Sequence, residues 1–131
     1  MTRRRTRGDQ GAATTEVVLL VPVLLFLVMV VIQFGLWYHA QHVAQAAADE
    51  GARAAKVEGA TQADGVTRAN EFLDQAASPL ISDRSVVATR TVDVATVTVT
   101  GHVSAVIPGF SLSVTASATD PVEQFRPDTG D

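Results

Sequence analysis

Residues 17–38 read VVLLVPVLLFLVMVVIQFGLWY. From Val17 to Ile32 every side chain is apolar, and no Asp, Glu, Lys or Arg occurs between Glu16 and Asp49. Wound as a helix, Val17–Tyr38 is about 33 Å long, which matches a hydrocarbon core of about 30 Å. A chain of 131 residues forms at most one small domain, and such a domain has little room to bury so long a helix on all sides. The stretch therefore reads as a single transmembrane span over 17–38. Four arginines, Arg3, Arg4, Arg5 and Arg7, precede it, whereas Asp49, Glu50 and Glu58 offset Arg53 and Lys56 beyond it. The positive-inside bias puts the N-terminus in the cytoplasm and everything after Tyr38 outside. Trp37 and Tyr38 stand where aromatic rings favour the headgroup region.

Working outward, the helix is expected to continue to residue 58. His39–Val57 is rich in alanine, the best helix former, with no proline before Pro79. Ala40, Ala44, Ala48 and Ala52 recur every four residues, and Ala47, Gly51 and Ala55 form a second row beside them. Small residues at that spacing let backbones approach closely. The segment reads either as a helix favoured simply by alanine's propensity or, since it lacks a large apolar stripe to dock on a globular core, as a helix that bundles with its own kind, Gly35 included. A second, amphipathic helix is expected within 61–78, with Ala63, Val66, Ala69, Phe72, Leu73 and Ala76 on one face. Gly65 weakens it and Ser78-Pro79 ends it.

From Val86 to Thr119 the texture turns to Val, Thr, Ser and Ala. Val97, Val99, Val103 and Ala105 alternate with polar residues, as do Phe110, Leu112, Val114, Ala116 and Ala118. This predicts half-buried strands joined by a hairpin turn at Pro108-Gly109. An earlier strand near Val86–Val94 is out of phase with them, so a turn or bulge is expected near Asp93–Thr96. The fold class is thus α+β and membrane-anchored. It comprises a long N-terminal transmembrane helix (12–58), a short second helix that covers one sheet face, and a β-rich module (84–120). That module is a small antiparallel sheet of two or three strands, followed by a loose tail (121–131).

The composition excludes much. No cysteine is present, which removes disulfides and thiolate chemistry. The net charge of −4 and the confinement of the basic cluster to a membrane flank speak against nucleic-acid binding. His39 and His42 share a helical face but have no further metal ligand close by in sequence, so they read as interfacial polar residues, and His102 as a surface residue on a strand. No nucleophile elbow, phosphate loop or dinucleotide fingerprint occurs. The reading is of a chain with no enzyme activity, no cofactor and no metal.

The remaining signal lies ahead of the span, in Arg7-Gly8-Asp9-Gln10-Gly11-Ala12-Ala13-Thr14-Thr15-Glu16. An ordinary signal peptide has its cleavage site after a shorter apolar run. Here the glycine comes first, and Ala44-Gln45-Ala46 lies well past the span. The junction resembles a type IV prepilin-type processing site, in which a prepilin peptidase cuts after the glycine and a glutamate stands fifth in the mature chain. Cutting after Gly11 makes Ala12 first and Glu16 fifth, whereas Gly8 would make the glutamate eighth. More widely, Pro22 early in the span and the segment Ala46-Ala47-Ala48-Asp49-Glu50-Gly51-Ala52-Arg53-Ala54-Ala55 resemble the TadE-like branch, the pseudopilins or minor pilins of tight-adherence (Flp) pilus systems.

That resemblance implies a bacterial inner-membrane protein. Its partners would be other pilin subunits through the N-terminal helix, a prepilin peptidase, and an inner-membrane assembly platform. It also implies that Glu16 of one subunit meets the new α-amino group of Ala12 on a neighbour. The basic leader 1–11 would then be disposable. The alternative is an unprocessed single-pass anchor whose exterior α/β module binds or regulates an envelope partner.

Overall fold

The computed structural model describes residues 9–124; the leader arginines and most of the expected tail lie outside the described residues. Helix α1 runs over Asp9–Lys56 with Pro22 inside it, as one element from the leader through the alanine-rich segment. Gly59, at φ +79, turns the chain, and Thr61 opens α2, Gln62–Ala76, as its N-cap. The Thr61 backbone N–H donates to the Asp64 carboxylate at 2.6 Å, and the Asp64 backbone N–H donates back to the Thr61 hydroxyl at 3.4 Å. This capping box satisfies donors that a helix start leaves unpaired.

Three strands follow: β1 (Ile81–Arg90), β2 (Val94–Val103) and β3 (Leu112–Pro121). They form an antiparallel sheet in the order β1-β2-β3. Val97 pairs with Ala88 on one side and Ala118 on the other. Alternation along β2 turns Ala95, Val97, Val99 and Val103 into the core and leaves Thr96, Thr98, Thr100 and His102 on the other face. On that outer face, hydroxyls pair across the strands, Thr96 with Thr119 at 2.8 Å and Thr98 with Ser117 at 3.1 Å.

Several expectations are corrected. The sheet is covered mainly by α1, because the alanines of 40–52 form a flat, small-residue surface against which valines can lie. Ala40, Ala44, Ala47, Ala48 and Ala52 are all fully buried with Val97, Val99 and Val114. The helix thus needs no large apolar stripe, since the sheet supplies the bulk. In α2 the buried residues are Gly65, Ala69 and Leu73, while Ala63 and Ala76 are exposed. Gly65 is the point of closest approach. A Cβ on Gly51 would lie 2.8 Å from the Gly65 carbonyl oxygen, and one on Gly65 would lie 2.9 Å from the Ala55 Cβ. Backbone separation this small excludes side chains from both positions.

The first strand begins at Ile81 rather than Val86. The phase break lies inside it, between Ser82 and Ser85, where Asp83 takes φ 48. The β1–β2 turn falls at 91–93, closed by the Thr91 N–H on the Val94 carbonyl at 2.8 Å. Ala105 and Phe110 belong to the β2–β3 connection, residues 104–111, rather than to strands. Pro108-Gly109 is therefore the tip of a longer loop.

Candidate functional site

The candidate site is α1 itself, which divides into a bare half and a clamped half. The bare half begins with the junction residues. Gly11 and Glu16 are exposed, and the Gly11 carbonyl accepts a hydrogen bond from the Thr15 hydroxyl at 2.9 Å. The backbone of Gly11 and Ala12 is helical, so the peptide bond between them sits within the first turns of α1. Beyond it, Val17–Val28 is exposed all round; Leu19, for example, is 67 % exposed. This part of α1 is long and apolar enough to cross a membrane, and almost none of it is buried within the chain. A helix that is apolar on every side demands an apolar medium, either lipid or other helices.

The clamped half begins at Gln33, which is fully buried. Its Nε2 donates to the Ser104 carbonyl at 3.4 Å, and its Oε1 accepts from the Val106 N–H at 2.7 Å. One turn on, Trp37 Nε1 donates to the Ser113 carbonyl at 3.0 Å. Gln41 Nε2 donates to the Thr115 carbonyl at 2.7 Å, and Gln45 Nε2 to the Ser117 carbonyl at 3.2 Å.

The four side chains stand at i, i+4, i+8 and i+12. Four helical residues rise about 6 Å and two strand residues about 6.7 Å, so the two repeats stay in step for three rungs. β3 is an edge strand, whose alternate carbonyls would otherwise point away from the sheet unpaired. The ladder closes that edge with side chains from α1. At the far end, Arg90 caps α1, with Nε 2.8 Å from the Ala55 carbonyl and Nη2 3.2 Å from that of Val57. Lys56 meets Asp120 at 3.4 Å. The head is held along the whole of 33–57.

Of the helix-packing residues expected from sequence, Ala40, Ala44, Ala48, Gly51 and Ala52 are packed within the chain itself. Gly35 differs: it is exposed, and a Cβ there would meet nothing within 4 Å. It shares the open surface with Phe34, Tyr38, His39 and His42. Tyr38 and His42 touch edge to face at 4.4 Å. Among the described residues no three His, Cys, Asp or Glu side chains are placed to hold a metal. The glutamine ladder escaped sequence reading, although Gln33, Trp37, Gln41 and Gln45 repeat every four residues. The signal was hidden because polar residues on a helix usually mark its solvent side.

Against this geometry, the comparison with protein families is direct. Residues 11–53 match the family described as TadE-like protein, the same family that the junction and the Glu-Gly-Ala-Arg segment resemble. The match begins at Gly11 and covers the bare half of α1 and most of the clamped half. That family is pilus-associated and structural, and the likeness extends over residues 11–53 only. Neither a curated protein nor a solved structure matches the chain.

Proposed function

We propose that this chain is a pseudopilin or minor pilin of a Flp-type pilus or related secretion apparatus, anchored in the bacterial inner membrane by the bare half of α1. The observation that carries this reading is the spacing of Gly11 and Glu16 at the head of a helix apolar on all sides. A prepilin peptidase cuts between Gly11 and Ala12 on the cytoplasmic side and removes the arginine-rich leader. A glycine in the first turns helps, because it lowers the cost of unwinding the helix around the bond to be cut.

Cleavage frees an α-amino group on Ala12. The Glu16 carboxylate, four residues on, stands at the edge of the apolar run, where an unpaired charge drawn toward lipid is costly. Pairing Glu16 of one subunit with the amine of its neighbour would offset that cost and set the stagger between adjacent helices. The residues that meet other pilins and the inner-membrane platform are then the apolar ones of 17–32, joined at Gly35 by a point of close approach. The head domain outside is a preformed unit that such assembly need not rearrange.

The test is Gly11→Ala in cells that carry the peptidase. The wild-type chain should migrate on a gel as a species shortened by the leader, and the variant at full length. Identical migration of the two would contradict processing at this glycine.

A further inference from the structure

The apolar run Val17–Ile32 is about 24 Å long as a helix. A bilayer core of about 30 Å needs about four residues more. They cannot come from the N-terminal side, where Thr14, Thr15 and Glu16 are polar. They must be Gln33–Leu36. If α1 spans a bilayer, as the proposed function has it, Gln33 therefore lies just inside the outer lipid boundary, within about one helical turn of it. A bare carboxamide is costly there. The Gln33 side chain is not bare: it is fully buried, with its Nε2 on the Ser104 carbonyl and its Oε1 taken by the Val106 N–H.

The group that shields Gln33 is the β2–β3 loop, which is thereby held at the same depth. Its composition suits that place. Ala105-Val106-Ile107-Pro108-Gly109-Phe110 contains no polar side chain, and no Asp, Glu, Lys or Arg occurs between Asp93 and Asp120. Ala105, Pro108, Gly109 and Phe110 are exposed, the phenylalanine by 43 %. Part of the loop backbone is satisfied internally, with the Phe110 N–H on the Ile107 carbonyl at 3.1 Å and the Ser104 N–H on that of Leu80 at 3.0 Å. Lys56 with Asp120 and Arg68 with Glu50 lie toward the other end of α1, whereas the Arg84–Asp74 pair, at 2.6 Å, stands near the loop end of the sheet, between Ser82 and Ser85 of β1, which pair with His102 and Thr100.

We propose that the tip of this loop, Pro108 to Phe110, is a second membrane contact. It rests at the headgroup–acyl boundary of the outer leaflet beside α1, and so fixes the tilt of the head against the bilayer. An apolar segment in that layer sits about 5–10 Å deep, and non-helical backbone is tolerated there because water still reaches it. The occupant of the surface is lipid.

The chain has no cysteine, so single labels can be placed freely. Pro108→Cys, Phe110→Cys, Leu24→Cys in the apolar run and Val92→Cys in the distant β1–β2 turn would each carry a nitroxide. The full chain would be reconstituted in phosphatidylcholine–phosphatidylglycerol vesicles, and collisions with oxygen and with a water-soluble nickel chelate measured. The labels at 108 and 110 should lose nickel collisions relative to 92 and gain oxygen, at a shallower depth than 24, whatever the lipid-to-protein ratio. If 108 and 110 are as open to nickel as 92 while 24 stays shielded, the loop inference falls and the span stands. If 24 is also open to nickel, the span falls and takes the loop contact with it. If protection at 108 and 110 vanishes on dilution with excess lipid, a second copy covers the loop, and the assignment to lipid is overturned.

Discussion

Gln41 donates its side-chain amide to the Thr115 carbonyl at 2.7 Å, the shortest rung of the ladder that joins α1 to the edge of the sheet. A neutral hydrogen bond of this kind contributes about 1 kcal/mol net. Gln41→Ala should therefore destabilise the head by about 1 kcal/mol. Gln41→Glu should cost about 2–3 kcal/mol at neutral pH, because a carboxylate cannot donate and is set against a carbonyl oxygen. Acidification should recover part of the loss, as a protonated glutamate donates again. Thermal unfolding followed by circular dichroism in detergent, at pH 7 and pH 4, checks both the order and the recovery.

Gly51 and Gly65 set a second expectation. A Cβ on Gly51 would sit 2.8 Å from the Gly65 carbonyl and 3.0 Å from both the Ala69 Cβ and a Val97 methyl carbon. Overpacking of this kind costs about 1–3 kcal/mol, which outweighs the gain of about 1 kcal/mol that replacing a helical glycine brings. Gly51→Val should lower the melting temperature. Gly35→Ala, with open space around it, should leave the melting temperature unchanged or raise it, and Gly35→Leu should impair assembly without unfolding the head. Melting curves read beside a pilus or complex-recovery assay separate the two glycines.

Arg90 donates to the last carbonyls of α1 from a neighbouring strand. It supplies both hydrogen bonds and a positive charge where the helix dipole is negative. Arg90→Met keeps most of the stem but loses both, and should cost about 1–2 kcal/mol. Hydrogen exchange should show the loss as faster opening at 53–60, with α2 less affected.

The capping box gives a pH dependence. The backbone N–H of Thr61, and then its hydroxyl, hold the Asp64 carboxyl below its ordinary value of 3.8. A group whose folded pKa is lowered stabilises the fold above the unfolded pKa and loses that contribution as pH falls through the folded one. The melting temperature of the wild type should therefore fall on acidification below about pH 4. Asp64→Asn should flatten that part of the profile, which a series of melts between pH 5 and pH 2 would show.

How far the sequence could be read divides at Gln33. The long apolar helix, the short second helix and the Val/Thr alternation of the antiparallel sheet each rest on a local periodicity, and those elements are found as expected. What local periodicity does not carry depends on contacts distant in sequence. The alanine rows of 40–52 are suited both to neighbouring helices and to a sheet, and only the tertiary fold shows that the chain's own valines fill them. Gly65 reads as a weak point in a helix until Gly51 is placed opposite it. The glutamines at 41 and 45 look like solvent-facing residues until β3 brings its edge carbonyls alongside, and Gln33 does until the β2–β3 loop folds over it. The junction at Gly11, Ala12 and Glu16 depends on a cut that no fold displays.

That cut is therefore the most direct test. The mature N-terminus of the protein, extracted from membranes of cells that carry the peptidase, should begin at Ala12, with Glu16 fifth. A chain that begins at Met1 or Thr2 under the same conditions would contradict the account, and would leave an unprocessed single-pass anchor in its place.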